Sequence, residues 1–146
     1  MTGKFLVDTN ILVYAYDRSE IDKQKKALDI LDSLTENNAG ILSAQVLSEF
    51  FVTVTKKIPS PLSASEAYAS ISNYMSSWTI VDINGLIVLE AVRGVQTHNF
   101  SYWDSLIWAT ARMNQIHIVL SEDFSHNSAV EGIQFLNPFL QKQIFD

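Results

Sequence analysis

Short apolar runs containing β-branched residues alternate along this chain with longer segments of helical hydrophobic period, and that alternation constrains the fold more than any other feature. Phe5-Leu6-Val7 reads as a strand stopped by Asp8-Thr9-Asn10, whose polar side chains can cap the helical spacing of Ile11, Leu12, Ala15 and Tyr16. Asp17 to Asp22 reads as a turn before a helix from about Ile21 to Leu34, with Ala27, Ile30, Leu31 and Leu34 on one face. Asn37-Asn38-Ala39-Gly40 ends that helix, Ile41-Leu42 is a second strand, and Ser43 caps a segment carrying Val46, Leu47, Phe50, Phe51 and Val54. Pro59 and Pro61 break the chain, and Ser63-Ala64-Ser65-Glu66 has the capping-box pattern for a helix running to about Met75. Thr79-Ile80-Val81 is a third strand; Asp82 or Asn84 then caps a helix bearing Leu86, Val88, Leu89 and Val92 and closed by His98-Asn99. Trp103 through Met113 is the next helix, His117 to Leu120 a fourth strand and Ile133 to Leu136 a fifth. Strands alternating with helices predict an α/β domain with a mostly parallel sheet.

With 146 residues and 47% of them hydrophobic, the chain is sized for one core, and the expectation is a single domain over 1–146. Cysteine is absent, which removes disulfide scaffolds, thiolate metal sites and cysteine nucleophiles together. No apolar run approaches the roughly 20 residues needed to span a bilayer, and Met1-Thr2-Gly3-Lys4 leads straight into a strand-like stretch. A soluble, cytoplasmic protein with no membrane contact is expected. The formal net charge of -6 argues against a binder that coats nucleic acid by electrostatics alone.

Four carboxylates stand out. Asp8 and Asp123 end the first and fourth strands, and in a parallel sheet ligands bind at the carboxyl ends of the strands. Glu49 and Asp104 lie in otherwise apolar helical segments, where a charge is costly unless it is paired, hydrogen-bonded or bound to a metal. Each has a plainer reading: Asp8 as a helix cap, with Asp123 equally ambiguous, Asp104 as a first-turn acid favoured by the helix dipole, and Glu49 as a solvated helix residue. The plain readings explain the set poorly, because few basic residues lie near these segments in sequence. If the four converge, they repel, and a divalent cation relieves the repulsion. Oxygen-only donors select hard ions, Mg²⁺ or Mn²⁺, over Zn²⁺.

Phe5-Leu6-Val7-Asp8-Thr9-Asn10-Ile11-Leu12-Val13-Tyr14-Ala15-Tyr16-Asp17, Leu47-Ser48-Glu49-Phe50, Ser101-Tyr102-Trp103-Asp104-Ser105-Leu106-Ile107 and Leu120-Ser121-Glu122-Asp123, in this order and spacing, resemble the PIN-domain ribonucleases. The resemblance is closest to the VapC-type toxins of toxin-antitoxin pairs, and it runs through the closing Gly132-Ile133 and Asn137-Pro138-Phe139. It implies a three-layer domain with a mostly parallel sheet of four to five strands flanked by helices. It further implies Asp8, Glu49, Asp104 and Asp123 as catalytic, metal-binding residues, with Thr9, Asn10 and Ser121 supporting them by hydrogen bonds. Glu122 matches a variable position and receives no ligand role. Asn127 stands where close relatives tend to have Gly, and Asn tolerates the left-handed conformation such a loop requires.

The implied activity is Mg²⁺- or Mn²⁺-dependent endoribonucleolytic hydrolysis by the toxin of a toxin-antitoxin pair. The alternative is a catalytically silent PIN-like module that binds RNA or protein. A phosphatase or receiver domain using Asp8 as phospho-acceptor fits badly, since Asp8-Thr9-Asn10 lacks the Asp-x-Asp pair. The implied partners are an RNA substrate, a cognate antitoxin and a second toxin copy in a homodimer. Arg18, Lys23, Lys25, Lys26, Lys56, Lys57 and Arg93 are candidate RNA contacts, although a solvated face is the commoner role for a cluster such as Lys23 to Lys26. Trp103, Phe124 and His126 are candidates to stack on bases, with packing the commoner fate of the first two; His98 and His117 are read as structural. The apolar residues of Leu47 to Val54 and Tyr68 to Met75 are compatible with a partner groove, with core packing the commoner role.

Overall fold

The computed structural model describes residues 3–141, 144 and 145; the Met1-Thr2 start of the expected lead-in lies outside the described residues. Strands β1 (Phe5–Val7), β2 (Gly40–Ser43), β3 (Thr79–Val81), β4 (Ile118–Leu120), β5 (Ser128–Val130) and β6 (Ile133–Leu136) form one sheet in the order β3-β2-β1-β4-β6-β5. Every pairing is parallel except β5 with β6. Helices α1 (Thr9–Tyr14), α2 (Ile21–Glu36), α3 (Ala44–Lys56), α4 (Ala64–Ser77), α5 (Gly85–His98) and α6 (Tyr102–Met113) connect and cover the strands, and a short 3-10 turn (Pro138–Leu140) follows β6.

All three residues of β1 are wholly buried, so the centre of the sheet is covered on both faces in a three-layer arrangement. The caps lie where side-chain chemistry placed them. Ser43, Ser63, Asn84 and Ser101 each accept a hydrogen bond from a first-turn amide, and Ser63 with Glu66 completes the capping box. Asn99 ends α5 in the left-handed conformation at φ 60°, and Asn127 takes φ 64°, as a stand-in for Gly must. Helices α5 and α6 form the most closely packed pair, and their crossing depends on Gly94. A Cβ there would come within 2.1 Å of Ser105 Oγ and 2.8 Å of the Trp108 ring.

The expectation of four to five strands is corrected to six by β5, an antiparallel edge strand. Ser128-Ala129-Val130 is too short and too polar to announce a strand, and it is held by pairing, with Val130 opposite Ile133. The intervening Glu131 and Gly132 both have positive φ, 48° and 84°, the requirement of a two-residue primed turn. Glu-Gly is a weaker signal for that turn than Asn-Gly, so the hairpin hides inside the loop after Asp123.

The topology positions the functional edge. From β1 the chain moves outward to β2 and β3, while β4 and then β6 lie on the opposite side of β1. The boundary between β1 and β4 is therefore the switch point where open parallel sheets leave a crevice beyond their carboxyl ends. The register Val7 opposite Leu120 makes Asp8 and Ser121 neighbours across that crevice.

Candidate active site

Asp8 leaves β1 at the switch point and is only 5% exposed. One of its carboxylate oxygens accepts from the Thr9 amide at 2.7 Å and the other from the Ser121 hydroxyl at 2.7 Å. Asp8 is thus the cap of α1, as the plainer reading held, and also a member of the acidic set. The Thr9 hydroxyl, one residue on, donates to Glu49 Oε1 at 3.1 Å and ties α1 to α3. Asn10 donates from Nδ2 to Asp123 Oδ2 at 3.0 Å, and the Asp123 amide donates to Ser121 Oγ at 3.0 Å. Asp104 sits in the first turn of α6, its amide donating to Ser101 Oγ at 3.2 Å.

The structure brings Asp8, Glu49, Asp104 and Asp123 to the wall of one cavity of about 130 Å³, together with Thr9 and Asn10. Ser121 lies just behind them, fully buried. Gln45, Thr53, Trp103 and Ile107 complete the lining. Gln45 and Thr53 were missed by the sequence reading, although each lies four residues from Glu49, the spacing that shares a helix face.

Among the described residues no Lys, Arg or His lines this cavity, so the acids face one another without a counter-charge from those residues. Burial pushes the Asp8 carboxyl up from an ordinary 3.8 to about 6, against the pull of its Ser121 and Thr9 hydrogen bonds, and the charges of Asp123 and Glu49 raise it further. Glu49 and Asp104 are also raised, by burial first and then by their acidic neighbours. Among the described residues no three His, Cys, Asp or Glu side chains stand close enough to clasp one ion directly, so the acids line the cavity as separate charges. The donor set fits a hard divalent cation nonetheless: every donor is oxygen, and among the described residues no positive side chain lines the cavity to offset the repulsion.

Glu122 does not face the acids. It accepts from Tyr14 Oη at 2.6 Å and from Lys23 Nζ at 2.9 Å, clamping the loop that carries Asp123 onto α1 and α2. Lys23 also lies over the Tyr14 and Phe139 rings, an engagement that neither the RNA-contact nor the solvated-face reading of its cluster foresaw. Arg93 is likewise engaged, with Glu90 at 2.7 Å and Glu131 at 2.9 Å, and Lys26 donates to the Gln141 carbonyl. Arg18 and Lys25 are exposed; so are Lys56 and Lys57 at the end of α3.

The three aromatic candidates part company. Phe124 stacks on Phe135 at 4.1 Å within the fold, and His126 Nδ1 accepts from the Asn137 amide. Trp103 remains 61% exposed at the cavity rim. His98 is structural, wedged against Phe100 and Trp108 and joined to Glu131. A second, mainly apolar groove of about 560 Å³ adjoins the acidic cavity and shares Gln45, Glu49, Thr53 and Trp103 with it. Of the apolar stretches read as a possible groove, Leu47, Phe50 and Val54 are core, whereas Phe51, Val52, Tyr68 and Met75 are exposed.

The model of the PIN domain family matches residues 5–130, which takes in all four acids. No curated protein matches the chain. Among solved structures, a toxin-antitoxin complex from Klebsiella pneumoniae contains a chain that superposes with a TM-score of 0.68 at 18% identity, covering 92% of this chain and 98% of its own. VapC20 of Mycobacterium tuberculosis, a toxin that cleaves the sarcin-ricin loop, gives a TM-score of 0.69 at 16% identity over 88% of this chain and 98% of its own. VapBC2 from Rickettsia felis, solved on a DNA fragment from its promoter, gives 0.62 at 17% identity over 90% and 96%. At these identities the structural likenesses establish the fold, and the domain match adds the lineage: a chain with this sheet order, and with four acids at its switch point, belongs to the PIN-domain family.

Proposed function

We propose that this protein is an endoribonuclease that hydrolyses RNA phosphodiesters with Mg²⁺ or Mn²⁺, the toxin of a toxin-antitoxin pair. The observation that carries the reading is the convergence of Asp8, Glu49, Asp104 and Asp123 on one cavity that, among the described residues, no basic side chain lines. Such a site repels a phosphate by itself, so an acidic PIN domain needs a cation to attract its substrate. These four residues would draw a cation into the cavity and hold it there, with no three of them clasping it directly. When bound, it activates water and neutralises charge developing on the phosphate.

The chain's own residues keep the acids in place and charged. Ser121 and Thr9 each donate to one oxygen of Asp8, which leaves a lone pair on both oxygens for the cavity. Thr9 turns Glu49 inward, and Asn10 holds Asp123. The Glu122 clamp to Tyr14 and Lys23 fixes the loop on which Asp123 rides. Trp103 offers an exposed indole at the cavity rim, suited to stacking on an unpaired base.

An antitoxin that covers the acidic cavity and a second toxin copy are the partners this reading entails. The structural neighbours that are toxin-antitoxin complexes support it, as do the exposed Leu86 and Leu89 on α5 and Tyr68 and Met75 on α4. Among the described residues no helix is long and apolar enough to cross a membrane, and a cytoplasmic location fits an RNA target.

The test is cleavage of a total-RNA pool by purified, antitoxin-free protein with Mg²⁺, Mn²⁺ or EDTA, beside Asp8→Asn and Asp104→Asn, with fragment ends sequenced. Metal-dependent cuts lost in both variants establish the nuclease and expose its target. No cutting by folded protein under either metal favours the silent binding module instead.

A further inference from the structure

We propose that Gln45 is a positioning residue, which sets the separation of the helices carrying Glu49 and Asp104 through its hydrogen bond to the Trp103 carbonyl. The inference rests on the function proposed above, because it concerns the same acids. Gln45 lies one turn before Glu49 on α3, so the two side chains share a face. Its Nε2 donates to the carbonyl of Trp103 at 3.1 Å, the residue immediately before Asp104 in the first turn of α6. One buried amide therefore links the backbone beside one acid to the helix of another.

Two further observations separate this role from packing. First, the side chain is only 8% exposed, and its Oε1 has no hydrogen-bond partner among the described residues and no access to solvent. A buried, unpartnered amide oxygen is destabilising, and a Met of similar length and volume would fill the space without it. Stability alone therefore does not account for glutamine here, whereas its N–H does. Second, α3 packs on α1 and α4, and α6 packs on α5, while α3 and α6 are not among the closely packed helix pairs. The span between Glu49 and Asp104 is left to individual side chains rather than to a helix interface.

The experiment compares the full-length protein with Gln45→Met and Gln45→Leu. Mn²⁺ binding is titrated without RNA by the spin-resonance signal of the free ion, thermal unfolding is followed in EDTA, and RNA cleavage is measured across Mn²⁺ and RNA concentrations. Side chains that orient metal-binding groups from behind are commonly worth 10- to 100-fold in metal affinity. The expected result is Mn²⁺ binding weakened at least tenfold, a Tm in EDTA equal to or above that of the parent protein, and a KM for RNA within about twofold once Mn²⁺ is saturating. Mn²⁺ affinity within about twofold of the parent in either variant overturns the proposal. A fall in Tm in both variants overturns it as well, by assigning the amide a purely structural role. If the parent protein itself binds no Mn²⁺, the metal-dependent function falls and this inference falls with it, whereas a parent that binds and cleaves beside unaffected variants removes the inference alone.

Discussion

Replacing Asp8 by Asn should make the protein more stable at neutral pH while abolishing cleavage. Burial raises the folded-state pKa of Asp8 from 3.8 to about 6. The folded protein therefore holds the Asp8 proton more tightly than the unfolded chain, so stability is full below pH 3.8 and is lost as pH rises through 6. A rise from 3.8 to about 6 corresponds to roughly 3 kcal/mol, fully felt at pH 7.5, because at 5% exposure the group has little water to screen it. Asparagine keeps the shape and the capping oxygen for the Thr9 amide, but it sets an NH₂ against Ser121 Oγ, which already accepts from the Asp123 amide; that mismatch returns about 1 kcal/mol. The net gain is about 2 kcal/mol, or roughly 4 to 8 °C in Tm for a domain of this size. Circular-dichroism melts in EDTA at pH 7.5 and 5 measure it. The parent should gain stability on acidification, and the variant should show a shallower slope. Added Mn²⁺ should raise the Tm of the parent far more than that of Asp8→Asn. An Asp8→Asn protein less stable than the parent at pH 7.5, or one with an unchanged pH slope, would refute the electrostatic account and leave Asp8 as a helix cap alone.

Gly94→Ala should destabilise by about 3 kcal/mol, because the added methyl must displace Ser105 and Trp108 where α5 crosses α6; denaturant unfolding checks it, and an unchanged midpoint would contradict the close crossing. Arg93 and Arg112 hold the Glu90 carboxyl down to about 2, so its stabilisation is present above pH 4.5 and is lost as pH falls towards 2. Both arginines are partly exposed, so Glu90→Gln should cost only about 1 kcal/mol at pH 7 and flatten the acid limb of the stability curve. Lys23→Met should leave the salt dependence of RNA binding unchanged, since the ammonium is engaged by Glu122 and Tyr14, and should speed amide exchange in the loop of Asp123. Trp103→Ala should weaken RNA binding by about 1 to 3 kcal/mol in a filter or anisotropy assay, with Mn²⁺ binding unaffected; equal weakening of both would place the indole's role in the fold of the cavity rather than in stacking.

Much of the fold was legible because its signals are local. A β-branched triplet before Asp-Thr-Asn, a Ser-x-x-Glu box after Pro61 and an Asn able to adopt φ above zero after His98 each act over a few residues, and all appear at or near their expected places. The hairpin of β5 escaped, because Ser128-Ala129-Val130 becomes a strand only through β6, and a single chain segment cannot display its partner. The site divides in the same way. Asp8 and Asp123 were visible as strand-end acids, and Glu49 and Asp104 as charges in apolar helices. Gln45 carried no comparable oddity, since one amide on a helix is ordinary until its oxygen is found buried with no partner among the described residues.

The amino-acid sequence by itself determined the alternation of strand and helix, the caps that bound the helices and the identity of the four acids, because periodicity and capping are properties of neighbours along the chain. Only the tertiary structure decided that those acids share a cavity with no basic side chain among the described residues, that Lys23 and Arg93 are engaged elsewhere, and that Trp103 alone of the three aromatic candidates stands open at the cavity rim. Charge pairing, burial and the shift of a carboxyl's proton affinity depend on distances between residues up to 115 positions apart, from Asp8 to Asp123, and those distances exist only once the parallel strands have set β1 beside β4.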